Sequence, residues 1–222
     1  MSAMYITRRE MSALLTAAAA TAQTQPQRAP RQDLELVAEF VRLAHMDSNL
    51  DKIAAMLADK PNLVYATHDW GGGDWETGLG GASHVGSRKM AHLLLEKGAR
   101  ADAYCSAMLG QRDVIGALIA ADAAVVNARG PHGYSLLYHA ASSGDVKMAE
   151  MIKPHLANAK RDFDQSLSAA VRDNRVEMTA WLLDNGVSDA NLPDMMGTSP
   201  LAIAQKKGFN DVAEVLRKHG AR

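Results

Sequence analysis

A turn residue followed four places later by an apolar residue recurs six times after residue 33, and this repeat constrains the fold more than any other feature. The turn residues are Asn49, Gly86, Gly110, Gly144, Asn174 and Gly208. Glycine and asparagine most easily accept the positive φ that a tight turn between two helices requires. An apolar cluster at helical spacing follows each turn, and a helix with one apolar face needs a neighbour to cover it. The pattern therefore predicts an all-α stack of about six helix-turn-helix units.

Two stretches carry a resemblance to a known family. Residues 133–140 read Gly-Tyr-Ser-Leu-Leu-Tyr-His-Ala, and residues 197–204 read Gly-Thr-Ser-Pro-Leu-Ala-Ile-Ala. Both are similar to the G-x-T-P-L-H-x-A opening of ankyrin repeats, and residues 93–99 and 182–187 are similar to the L-L-x-x-G-A closure of that family. The resemblance covers roughly residues 34–222. It implies an ankyrin-repeat solenoid that binds a partner through its concave face and turn tips.

The spacing of the turn residues departs from the family period of about 33 residues in two places. Only 24 residues separate Gly86 from Gly110, so the projecting turn of the third unit is expected to be absent. The 37 residues between Asn49 and Gly86 contain a Gly-rich loop at 68–75, which predicts an enlarged finger. The first unit is also expected to be irregular, because the end of a stack must meet water. Pro154 should end its helix early, since proline breaks a helix interior.

The N-terminal segment, residues 1–22, resembles an export signal. Its paired arginines, Arg8 and Arg9, precede a short Ala-rich apolar run that ends in the small-residue sequence Ala-Thr-Ala. This order is similar to a bacterial twin-arginine signal peptide. Residues 23–32 are then predicted to be a polar linker, and the resemblance implies that residues 33–222 form an ankyrin repeat domain. We expect a periplasmic or secreted protein; the alternative is a frayed N-terminal helix in a cytoplasmic protein.

Charge and cysteine content exclude several classes of function. The formal net charge is -1, whereas nucleic-acid-binding domains usually carry a basic stripe and a high pI, so no nucleic-acid partner is expected. Cys105 is the single cysteine, and neither H-x-x-x-H nor C-x-x-C occurs, so we predict no disulfide, metal site or cofactor. Cys105 fits a small buried hydrophobe. We also expect a monomer without stable membrane insertion.

The resemblance implies that partner-binding residues lie before each corner and beside each turn. The candidates are Trp70, Asp74, Trp75, Glu76, His84, Met108, His132, Tyr134, Asp164, Arg172 and Met196. Because interface binding energy is concentrated in a few aromatic anchors, we expect Trp75, Tyr134 and His132 to be the central contacts, with Trp70 at the loop tip. Local packing against the Gly-rich loop is the alternative for both tryptophans. The predicted function is a protein-interaction module without catalysis, whose protein partner is unidentified.

A second function stays open on the residues alone. The three glycines at 71–73, together with His84 or His132, would suit a small-ligand-binding or hydrolytic protein. The glycines lack the Lys and Ser/Thr that follow in a P-loop, which favours a flexible binding finger over a phosphate site. Stacking of the units would bury Cys105, which disfavours it as a nucleophile.

Overall fold

The computed structural model describes residues 33–222, so the signal peptide and linker predicted for residues 1–32 lie outside the described residues. The described part is all-α, as predicted, apart from one short hairpin. Its elements are α1 (Leu34–Leu43), α2 (Leu50–Asp59), β1 (Thr67–Asp69), β2 (Trp75–Thr77), α3 (Gly78–His84), α4 (Arg88–Glu96), α5 (Ala103–Met108), α6 (Arg112–Ala121), α7 (Leu136–Ser143), α8 (Val146–Ile152), α9 (Ala159–Arg172), α10 (Val176–Asn185), α11 (Pro200–Lys207) and α12 (Asn210–Lys218). No helix in residues 33–222 has the length and apolar character needed to cross a lipid bilayer.

The helices of this part of the chain form consecutive pairs, and the pairs pack on one another. Each odd-numbered helix contacts the next odd-numbered one from α1 to α11, and α6, α8, α10 and α12 pack in the same way. Buried apolar side chains such as Phe40, Leu94, Ile152 and Leu216 fill the space between the pairs. Each helix therefore buries its apolar face through a neighbouring pair, as the sequence pattern predicted.

Five of the six predicted corners adopt positive φ. Gly86, Gly110, Gly144, Asn174 and Gly208 have φ values of 75°, 80°, 83°, 56° and 71°. The prediction was wrong for Asn49, whose φ is -102°. Asn49 ends a 3-10 turn that leads directly into α2, and its side-chain amide donates to the carbonyl oxygen of Leu43 at 2.9 Å. The chain therefore changes direction in the first unit without a left-handed residue.

Two further departures from regular repeats are confirmed. Helix α5 begins at Ala103, directly after the stretch from Gly98 to Asp102, so no turn projects between α4 and α5. Helix α8 ends at Ile152, shortly before Pro154. The missing turn and the proline each shorten one unit of the stack.

The Gly-rich loop is the tip of an antiparallel hairpin, which the sequence pattern did not predict. Thr67 pairs with Thr77 and Asp69 pairs with Trp75. Strand β1 packs against α1. The enlarged finger therefore folds back over the first unit of the stack.

Candidate functional site

A buried carboxylate, Glu76, lies at the centre of a cluster of ring side chains. Its side chain is 0% exposed. Oε2 accepts a hydrogen bond from Nε1 of Trp70 at 2.7 Å and lies 3.1 Å from Nε2 of His45. Oε1 lies 2.8 Å from Nδ1 of His84 and 3.7 Å from Nε2 of His132. One carboxylate therefore faces three imidazoles and an indole, and we call these residues the Glu76 cluster.

The side chains of the Glu76 cluster come from segments that are far apart in the sequence. His45 follows α1, Glu76 is in β2, His84 is the last residue of α3, and His132 lies in a 3-10 turn before α7. Because the hairpin turns the chain back on itself, Trp70 and Glu76 reach the same point from its two sides. The fold of the hairpin over α1 is thus what assembles the cluster.

Helix α3 is rich in glycine because its neighbours approach too closely for side chains. A Cβ at Gly81 would lie 2.5 Å from Cδ2 of His45, and a Cβ at Gly78 would lie 2.8 Å from the ring of Phe40. Glycine lowers the intrinsic stability of a helix, so the close approach must compensate for that cost. It is this approach that brings His45 to the cluster.

The charges of the cluster are set by burial and by the neighbouring rings. Burial alone would raise the pKa of Glu76, but His45 and His84 outweigh it and hold that pKa far below the usual value of 4.5. Burial lowers the pKa of His84 below 6.5, although Glu76 acts in the opposite direction. At neutral pH Glu76 is therefore an anion beside a neutral His84 ring.

Two buried polar atoms inside the cluster lie in close contact with each other. Oε1 of Glu76 and Nδ1 of His84 are 2.8 Å apart, and neither of these buried atoms has a well-aligned hydrogen-bond partner. Buried polar atoms nearly always have a partner. This pair therefore calls for an explanation.

Asp74 fixes the orientation of His132. The backbone N–H of His132 donates to Oδ1 of Asp74 at 2.8 Å, and Nδ1 of the ring lies 2.6 Å from Oδ2. His132 has a positive φ of 57°. These contacts leave Nε2 as the nitrogen that faces Glu76.

A groove of about 760 Å³ opens beside the cluster, and His84 also lines it. The rings of Tyr134 and Tyr138 stack with centroids 3.9 Å apart, and the Tyr134 hydroxyl donates to the Met195 sulfur at 3.1 Å. Arg172 donates to the Tyr138 hydroxyl at 2.7 Å and to the His84 carbonyl oxygen at 3.0 Å. The groove is thus lined by two stacked tyrosine rings, and Arg172 is hydrogen-bonded to one of them.

Exposed apolar and basic side chains complete the groove. Met195 and Met196 line it from the segment before α11, and Met196 is 81% exposed. Lys206 and Lys207 line it from the end of α11, and both are exposed. The groove therefore offers apolar contact together with positive charge.

The structure brings four of the predicted partner-binding residues to this groove: His84, Tyr134, Arg172 and Met196. Trp75 is 60% exposed and lines a separate cavity of about 370 Å³, together with Asp74. Asp164 lies apart from both cavities, where its carboxylate accepts from the Ser188 backbone N–H at 2.7 Å and from Lys160.

Three of the expected partner contacts are corrected by the structure. Met108 is fully buried in the core, because α5 packs between α3 and α7. Glu76 is equally buried, and its side chain points into the cluster rather than outward. Trp70 directly precedes the glycines of the loop tip, but its half-buried side chain is turned toward Glu76, which is the local packing given as the alternative. Met108 and Glu76 therefore expose no side-chain surface to a partner, and Trp70 exposes only part of its side chain.

His45 is the residue of the cluster that sequence reasoning missed. It lies 31 residues before Glu76, in the least regular unit, and no motif links the two. The one available signal was the group of glycines in α3, which indicates close packing of a neighbouring segment.

No protein-family model matches the chain. The ankyrin resemblance therefore rests on the residues themselves, chiefly 133–140 and 197–204.

Cys105 has the character of a core residue. It is 1% exposed, and burial raises the pKa of its thiol to about 11. A thiolate is the reactive form of cysteine, so burial and the raised pKa disfavour Cys105 as a nucleophile at neutral pH.

Proposed function

We propose that the chain is an ankyrin-type interaction module that binds an extended segment of a protein partner in the groove beside α7, α9 and α11. The ankyrin assignment is supported by the paired helices and by the glycine corners at Gly86, Gly110, Gly144 and Gly208. In such stacks the side chains beside the turns are free to vary and carry the binding function.

The composition of the groove is the observation that carries this proposal. Tyr134, Met195 and Met196 provide aromatic and flexible apolar surface, which suits the anchoring of apolar side chains. Lys206 and Lys207 add positive charge beside it. The occupant that fits both is a segment with apolar side chains flanked by Asp or Glu.

An array of extended peptides that differ in acidic and apolar content tests this function. We expect binding of peptides in which acidic residues flank an apolar side chain, with affinity that falls as salt is added. Met196→Ser should weaken binding about tenfold, because it removes an exposed apolar contact without disturbing the core. Lys206→Glu should weaken the same peptides and reduce the effect of salt.

Met46→Ser is the matched control, since Met46 is an exposed methionine that does not line the groove. It should leave peptide affinity unchanged. The proposal would be contradicted if Met196→Ser and Met46→Ser changed peptide affinity equally, or if peptide affinity did not depend on peptide charge.

The alternative of a small-ligand or hydrolytic role is supported by one observation. The rings of His84 and His132 do meet, with centroids 4.8 Å apart, beside the Glu76 carboxylate. A Cβ built at Gly71, Gly72 or Gly73 would meet nothing within 4 Å, so no distant part of the described chain packs against these glycines. With Cys105 buried as a thiol, this arrangement favours binding over hydrolysis.

A further inference from the structure

We propose that the Glu76 cluster is a binding site for one divalent transition-metal ion of the zinc type, held by His45, Glu76 and His84, with His132 as a fourth ligand. The proposal concerns a different site from the peptide groove and does not depend on the proposed function. The sequence predicts no metal site because it contains no short metal-binding motif, and the proposed site departs from that prediction.

The ligand atoms already lie close enough for a shared ion. The atoms that His45, Glu76 and His84 can offer all lie within 4.8 Å of one another. Four ligands at the usual zinc distances lie about 3.3 Å apart in a tetrahedron. Oε1 of Glu76 lies 2.8 Å from Nδ1 of His84 and 3.7 Å from Nε2 of His132, and Oε2 lies 3.1 Å from Nε2 of His45; these distances bracket that value.

The two unpartnered atoms favour an ion over a simple hydrogen-bonded cluster. Oε1 of Glu76 and Nδ1 of His84 are buried, 2.8 Å apart, and without a hydrogen-bond partner. A cation between them would satisfy both lone pairs at once.

The surroundings of the ligands match those of known metal sites. A ligating histidine usually presents its other ring nitrogen to a carboxylate or a carbonyl, and a ligating carboxylate is itself hydrogen-bonded. Asp74 holds Nδ1 of His132 at 2.6 Å, which leaves Nε2 for the ion. Trp70 donates to Oε2 of Glu76 at 2.7 Å. Both supporting contacts are therefore present.

The ligand set also indicates which ions would bind. Imidazole nitrogens with one carboxylate suit zinc, cobalt, nickel or copper, whereas magnesium and calcium prefer oxygen ligands alone. The side chains of His45 and His132 are 21% and 20% exposed. An ion can therefore reach the site from solvent.

Metal titration of the chelator-treated protein tests the proposal. Calorimetry with zinc should show one equivalent bound with a Kd at or below about 1 μM, which corresponds to about 8 kcal/mol. Zinc should raise the thermal midpoint, since an ion that binds only the folded state stabilises it. Magnesium should do neither. Cobalt should give the intense visible absorption of a four-coordinate site.

His84→Ala and His45→Ala should each reduce zinc affinity by more than about tenfold, because the loss of even a supporting outer-shell residue costs about that much. His92→Ala is the control, because His92 is an exposed histidine of α4 outside the cluster. Met196→Ser should bind zinc like the wild type, which separates this site from the groove. Absence of zinc binding by the folded wild type overturns the proposal even if a variant fails to fold. Zinc affinity that is unchanged in a folded His84→Ala variant overturns it as well.

Discussion

Replacing Gly86 with alanine is expected to lower the free energy of unfolding by about 3 kcal/mol. Gly86 has a φ of 75°, a left-handed conformation that costs a residue with a Cβ about 1–2 kcal/mol. The added Cβ would also lie 2.6 Å from Oδ2 of Asp173 and 2.9 Å from Oγ of Ser142. These two side chains are hydrogen-bonded to each other, and Arg172 contacts both. The methyl group would therefore disturb a bonded network as well as the backbone.

Gly208→Ala is the matched control for this effect. Its φ is 71°, close to that of Gly86, but a Cβ there would meet nothing within 4 Å. Only the backbone cost of about 1–2 kcal/mol should remain. Urea unfolding of both variants measures the difference. Equal losses would mean that Asp173 and Ser142 move aside freely and that the network adds no constraint at Gly86.

The stacked fold was predictable because its signals are local. Two signals can be recognised in the sequence of a single unit: a glycine or asparagine at the corner, and the apolar face of the helix that follows it. Tertiary contacts do not alter these signals. Gly144 and Asn174 adopted the expected φ for this reason. The prediction failed at Asn49 because α1 and α2 are joined by a 3-10 turn. The identity of the corner residue alone does not distinguish such a turn from a left-handed one.

The Glu76 cluster could be predicted only in part because it depends on contacts between distant segments. Asp74, Glu76 and His132 lie beside turns, and a turn position says nothing about which way a side chain points. Their inward orientation follows from the hairpin, whose β1 packs on α1. His132 reaches Asp74 across 58 residues of sequence, a separation that no spacing motif covers.

His84 connects the two proposed sites. Its ring belongs to the Glu76 cluster and its backbone carbonyl accepts from Arg172 in the groove. Variants that change only one site are therefore needed to test each. Met196→Ser meets this need for the groove, and His45→Ala meets it for the cluster, since His45 does not line the groove.

Acid is expected to destabilise the fold through His139, a fully buried residue of α7. Its Nδ1 lies 2.9 Å from the carbonyl oxygen of Ser135, and its Nε2 has no hydrogen-bond partner. Burial lowers the pKa of His139 from 6.5 to about 3. Between these values the unfolded chain takes up a proton that the folded chain does not. The stabilisation is therefore fully present above pH 6.5 and is lost as the pH falls toward 3, by about 1.4 kcal/mol per pH unit and about 5 kcal/mol in total.

Urea unfolding of the wild type and of His139→Gln, at about pH 7.5 and about pH 5, measures this contribution. Glutamine keeps a donor for the Ser135 carbonyl but does not titrate, so the wild type should lose about 2 kcal/mol more than the variant between the two conditions. Glu76 and His84 are present in both proteins, and their own pH dependence cancels in the comparison. If both proteins lost the same amount, His139 would have to accept its proton inside the folded chain. That result would require a partner for Nε2, which the packing of Tyr104 and Tyr138 around the ring does not provide.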